Sequence, residues 1–196
     1  MPLTLKTGFD PPVLPPSSPT GTGTYFHPLV DLPSVSPAKI GRQDAIALVV
    51  FLGVSFVAAA IGSLATFASL DPWYAGLAKP AWTPSGAVIG AIWTVLYALM
   101  GVAAWLVWRV TGWSRSLPLI LFAVQLVLNV LWSLLFFGLQ NLAAGLVGIL
   151  VLWAAVAATL VSFWRVKRSA GALFIPYLAW VSIATALNAI LWQLNP

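Results

Sequence analysis

Apolar positions fall into five long blocks along the chain, at 44–68, 86–109, 117–138, 142–164 and 170–194. Each approaches or exceeds the roughly 20 residues that a helix needs to cross the hydrocarbon core of a bilayer. Inside the blocks the polar and aromatic positions recur at helical spacing. Gln125, Asn129, Trp132, Ser133 and Phe136 share a face of the third block, Tyr177, Trp180, Ala184 and Asn188 a face of the fifth, and Trp93, Tyr97 and Met100 a face of the second. The first carries small residues at every fourth position, Ala58, Gly62 and Thr66 beside Ser55, Ala59 and Ser63, a pattern that lets helices approach closely in a bundle. Short turns at 111–116, 140–141 and 165–168 make sequence neighbours antiparallel. The pattern predicts an all-α integral membrane protein, a five-transmembrane-helix bundle.

One connection breaks the rhythm. Residues 73–85 read W-Y-A-G-L-A-K-P-A-W-T-P-S, with two tryptophans, a tyrosine and a lysine in a stretch fixed by Pro80 and Pro84. Each proline lacks an N–H and pushes the residue before it towards extended geometry, so an irregular loop is expected here. Two readings stand: a lid over a pocket, or a Trp/Tyr belt at the membrane surface.

Composition sharpens the picture. Of the 196 residues 61% are hydrophobic and 7% charged, against about 25% charged in a soluble domain. Such a chain cannot cover a water-facing surface. It has no cysteine, and its single histidine, His27, lies in the first 40 residues. Thiol chemistry, disulfides and Cys-based metal sites are excluded, and no imidazole ligand is available in the spans. Residues 1–40 are rich in Pro, Ser, Thr and Gly and are expected to be a disordered tail, leaving 41–196 as the membrane domain. The net charge of +5 is read as topology rather than nucleic-acid binding. Lys39, Arg42, Arg109, Arg115, Arg165, Lys167 and Arg168 gather on one side, and Lys79 alone on the other. That asymmetry places the N-terminus inside, the C-terminus outside and the 73–85 loop outside.

No Asp, Glu, Lys or His lies deep in a span, which argues against an ion channel or a proton-coupled pump. At 1.5 Å per residue, Trp93, Asn129 and Asn188 lie on the order of 10–15 Å below the outer surface, and Trp180 roughly 20 Å below it. Three helices thus place indoles and amides beneath the aromatic loop, which favours a pocket over a belt. Trp105, Trp108, Trp113, Trp164 and Trp192 fall near helix ends and are read as the belt. Indole faces stack on flat ligands, a buried amide fixes a few polar atoms, and Lys79 stands at the expected mouth. A tetrapyrrole, a planar drug-like molecule and a sterol all fit that chemistry.

The residues Trp73-Tyr74, Leu77, Lys79-Pro80, Trp82, Pro84, Trp93, Leu96-Tyr97 and Met100 resemble the loop and second helix of the TspO/MBR family. These are the tryptophan-rich sensory proteins and translocator proteins, also called peripheral benzodiazepine receptors. Asn129, Trp132-Ser133 and Phe136-Phe137 match its third helix, and Pro176-Tyr177, Trp180, Ala184, Leu187-Asn188 and Leu194-Asn195 its fifth. The resemblance covers about residues 45–196. It implies a pocket capped by the first loop and lined by Tyr74, Trp82, Trp93, Asn129, Trp180 and Ala184. It implies binding of protoporphyrin IX, haem and synthetic isoquinoline-carboxamide ligands, with no required cofactor, no metal site, a membrane-lipid environment and a possible homodimer by analogy. The family's sterol motif needs a Tyr and a basic residue at the end of helix five, and this chain has neither after Tyr177. The expected location is a bacterial cell membrane.

Three functions follow as alternatives. The first is a receptor or transport-type protein for porphyrins, regulatory in tetrapyrrole or stress signalling. The second is a light- and oxygen-dependent enzyme that degrades protoporphyrin, in which the resemblance gives Trp93 and Trp180 the catalytic role. The third is a small-solute transporter.

Overall fold

The computed structural model describes residues 41–113 and 116–196. The expected tail at 1–40, with His27 and Lys39, lies outside the described residues, as does Arg115. Five helical spans are long and apolar enough to cross a membrane, at Arg42–Tyr74, Gly86–Thr111, Leu117–Gly138, Leu142–Val166 and Arg168–Leu194. No strand occurs among the described residues.

Helix α1 (Arg42–Ser69) begins where Asp44 Oδ2 accepts from the Gly41 N–H at 3.2 Å, an acidic group at the positive end of the helix. It continues into a π-helical turn, Leu70–Tyr74. Asp71 is extended (φ −132°, ψ 132°), as the residue before Pro72 should be. Trp73 and Tyr74 therefore belong to a helical turn and not to an irregular loop, because Pro72 restarts the helix at a first-turn position that needs no N–H.

Helix α2 (Gly86–Thr111) is capped by Ser85, whose Oγ accepts from Val88 N–H at 3.4 Å. Helix α3 (Leu117–Ser133) takes Pro118 in its first turn and ends in a second π-helical turn, Leu134–Gly138. Asn141 caps α4 (Leu142–Val166) by accepting from Ala144 N–H at 2.9 Å. The fifth span is broken into α5 (Arg168–Ala172) and α6 (Ile175–Leu194). The missing N–H of Pro176 interrupts the hydrogen-bond ladder there.

Small residues set the close approaches. A Cβ on Gly101 would lie 2.8–3.1 Å from Leu52 of α1, and one on Gly62 would lie 3.1 Å from Ser133 Oγ of α3. One on Gly145 of α4 would lie 2.7 Å from the Phe136 ring. The inner ends of α1 and α2 are tied by Trp105 Nε1, which donates to the Asp44 carbonyl at 3.0 Å, and by an Arg109–Asp44 ion pair at 3.3 Å. Trp105 and Trp108 are buried, so these two leave the expected surface belt; Trp113, Trp164 and Trp192 are exposed. Trp105 is drawn inward by its carbonyl partner and by the Arg109 guanidinium 5.1 Å from its ring centre.

Candidate functional site

At their outer ends α1 and α2 part company. There α1 leans on α3 instead: Ser69 Oγ donates to the Phe137 carbonyl at 2.7 Å, and Gly62 abuts Ser133. The space left between α1, α2, α3 and α6 is a cavity of about 510 Å³, within the usual range for small-molecule sites.

Its deep end is built on Asn129. Tyr97 donates its hydroxyl hydrogen to Asn129 Oδ1, and Asn129 Nδ2 donates to the Tyr177 hydroxyl oxygen at 2.8 Å. One amide from α3 thus joins α2 to α6, and all three residues are buried. Left without partners, such buried groups cost on the order of 1–3 kcal/mol each. Ring faces form one wall. Trp93 stacks on Trp132 at 6.3 Å and 29°, and Trp132 leads to Phe136 at 5.7 Å. Trp180, Ala184 and Asn188 of α6 line the cavity from another side. The indole N–H groups of Trp132 and Trp180 are buried without a hydrogen-bond partner, as is Asn188 Oδ1.

The roof is the π-helical turn and the loop after it. Leu70, Tyr74 and Pro84 face the cavity, and Tyr74 packs on Phe137 at 5.6 Å. Lys79 does not reach for a ligand. Its Nζ donates to the Ala75 and Leu77 carbonyls, each at 3.0 Å, and lies 4.7 Å from the Tyr74 ring centre. Two of the three ammonium donors are thus engaged by backbone close by, and Lys79 does not line the cavity.

The structure therefore brings Tyr74, Trp93, Asn129, Trp180 and Ala184 to one cavity. Trp82 does not line it. It sits in the turn closed by Thr83 N–H donating to the Pro80 carbonyl at 3.0 Å, and the residue is 49% exposed. Asn188, which helical spacing and depth had put beneath the loop, also lines the cavity, and so do residues the expected lining set left out: Trp132, Phe136, and the small residues Ala59, Gly62 and Ser63 of α1. The small stripe of α1 was legible as helix packing, and Gly62 does pack on Ser133 of α3; its outer part also borders the cavity. One side of the cavity is unwalled. Phe56 and Phe67 of α1 and Gly86, Ala87, Gly90 and Thr94 of α2 line it and are exposed, so it opens sideways between the outer halves of those two helices.

Among the described residues no group of His, Cys, Asp or Glu could hold a metal ion. The lining offers π faces, amides and indole N–H groups, and its titratable side chains are the phenols Tyr74 and Tyr97. Such a lining can stack and orient a flat molecule, and it offers no carboxylate or imidazole for acid–base work.

The sequence profile of the TspO/MBR family matches residues 47–193. The chain is 41% identical over 149 residues to protein CrtK of Rhodobacter capsulatus, covering 73% of this chain and 91% of that protein. It is 39% identical over 158 residues to the tryptophan-rich protein TspO of Chlorobaculum tepidum, covering 79% and 99%. To the human translocator protein it is 41% identical over 126 residues, covering 63% and 75%.

Proposed function

The chain belongs to the TspO/MBR family of integral membrane proteins, and from that premise we propose that its outer cavity binds a porphyrin, protoporphyrin IX or haem, in a regulatory or transport role in tetrapyrrole or stress signalling. The observation that carries this reading is the indole wall. Trp93 and Trp132 are stacked at 29°, and Trp180 lines the same cavity. A large flat π system gains stacking from such a wall beyond its buried area. The uncharged lining suits a mostly apolar macrocycle, and the unwalled side leaves room for its edge.

A second reading, photo-oxidative breakdown of bound protoporphyrin with dioxygen as the oxidant, is supported by Trp93 and Trp180 sharing one cavity, where Trp132 and two phenols add further oxidisable side chains. One experiment serves both. Purified protein is titrated with protoporphyrin IX while tryptophan fluorescence is followed, then illuminated in air while porphyrin absorbance is tracked. Saturable quenching with stable absorbance supports binding alone. Light-dependent loss that disappears in Trp93→Phe and Trp180→Phe supports the enzyme. Absence of quenching overturns both and leaves transport of a small solute.

A further inference from the structure

One side chain makes the hydrogen bonds that tie the loop after the π-helical turn to a distant part of the chain. Asn195, just past the end of α6, offers its amide to the backbone of Ala78. The Ala78 N–H donates to Asn195 Oδ1 at 2.9 Å, and Asn195 Nδ2 donates to the Ala78 carbonyl at 3.1 Å. The side chain thereby mimics one rung of a β ladder. It is itself fixed, since Nδ2 also donates to the Leu191 carbonyl at 2.8 Å and the Asn195 backbone N–H donates to the same oxygen at 3.1 Å. The remaining hydrogen bonds of residues 75–85 are local: Leu77 to Tyr74, Thr83 to Pro80, Lys79 to two nearby carbonyls, and Ser85 to Val88. Among the described residues, those that reach from this loop to a distant part of the chain both end on Asn195.

Beneath the clip lies the apolar seat of the roof. Leu77, Trp73 and Tyr74 pack with Leu187 and Leu191 of α6 and Phe136. Tyr74, Leu187 and Leu191 also line the cavity. Releasing Ala78 frees the loop segment whose neighbours roof the site, while the helices keep their own ladders.

We infer that Asn195 is a latch: its paired hydrogen bonds to Ala78 hold the loop closed and set how fast a cavity ligand leaves. The chemistry explains why an amide stands there. One side chain must accept from an N–H and donate to the C=O of the same residue at once, and a neutral planar carboxamide sets an acceptor and a donor side by side for that. The inference rests on the porphyrin reading above for its kinetic arm only.

The test uses the full chain in lipid nanodiscs. Hydrogen exchange is first measured without ligand on the wild type, Asn195→Ala and Asn195→Asp. Asn195→Ala removes both bonds and should speed exchange of amides at 77–83 about tenfold, leaving the five spans unchanged. Asn195→Asp keeps the acceptor but sets a carboxylate against the Ala78 and Leu191 carbonyl oxygens, and should loosen the loop at least as much. Dissociation of protoporphyrin IX, followed by recovery of tryptophan fluorescence, should quicken by a similar factor in both variants. Unchanged exchange at 77–83 overturns the latch whatever the ligand does. Faster exchange with unchanged dissociation, in protein that binds porphyrin, overturns its control of release. If the wild type binds no porphyrin, the functional reading fails, and the exchange result alone decides whether Asn195 holds the loop.

Discussion

Helices α1 and α2 meet in two different ways along their length. In the inner half they are pressed together. Gly101 lies against the Leu52 backbone, Met100, Ala103, Ala104 and Val107 are wholly buried, and Trp105 and Arg109 bind Asp44. In the outer half the same helices diverge. A Cβ built on Gly86 or Gly90 meets nothing within 4 Å, and both glycines line the cavity. Glycine thus does opposite jobs on one helix: at 101 it admits a neighbour, at 86 and 90 it leaves a gap. Small residues alone do not announce which. The decision comes from α1, which the Ser69–Phe137 bond and the Gly62–Ser133 contact draw towards α3 at its outer end.

The same substitution placed in each half should break this contrast most sharply. Gly101→Val forces branched carbons against Leu52 and should destabilise the bundle by about 3 kcal/mol, as overpacking of a filled interior does. Thermal unfolding in detergent measures it, and a shift no larger than that of a surface variant would remove the claim of a closed inner half. Next in size, Trp93→Phe should weaken protoporphyrin IX binding about tenfold, roughly 1.4 kcal/mol, with unfolding changed far less; quenching titrations at equal protein stability report it. Asp44→Asn removes one of the inner ties. Because that ion pair is partly exposed, the loss should be about 0.5 kcal/mol and should shrink in high salt. The smallest effect on stability belongs to Gly90→Val, within about 0.5 kcal/mol of wild type, since valine is not a worse helix former than glycine and finds open space. Its signature should be kinetic: a narrower side opening that slows porphyrin association.

Much of this architecture was legible in the pattern of residues, for a physical reason. A bilayer demands that every backbone polar group be satisfied within its own helix, so uninterrupted apolar runs translate directly into spans. The stripes that carry Asn129, Trp180 and Ala184 were equally readable, because helical spacing fixes which residues share a face. What stayed hidden depends on partners that the spacing of residue types does not name, some near in sequence and some distant. Lys79 looked like a free cation at a mouth, yet it is engaged by carbonyls of its own loop. Trp105 looked like a belt residue until the Asp44 carbonyl, 61 positions away, was seen to accept from it. Trp82 follows Tyr74 by eight positions but lies beyond the helical turn that holds it, in a separate turn at Pro80. The Asn195 clip joins positions 117 apart. None of these pairings has a periodicity to betray it.

The sideways gap between the outer halves of α1 and α2 carries a consequence for any affinity measured on this protein. A hollow that opens towards hydrocarbon is expected to fill with acyl chains or detergent tails, a prediction that a lipid-competition titration checks. A bound guest therefore displaces tails rather than bulk water, and its dissociation constant is an exchange constant whose value belongs to the host as much as to the protein. Changing chain length or unsaturation of the surrounding amphiphile should move that constant even where every side chain stays the same.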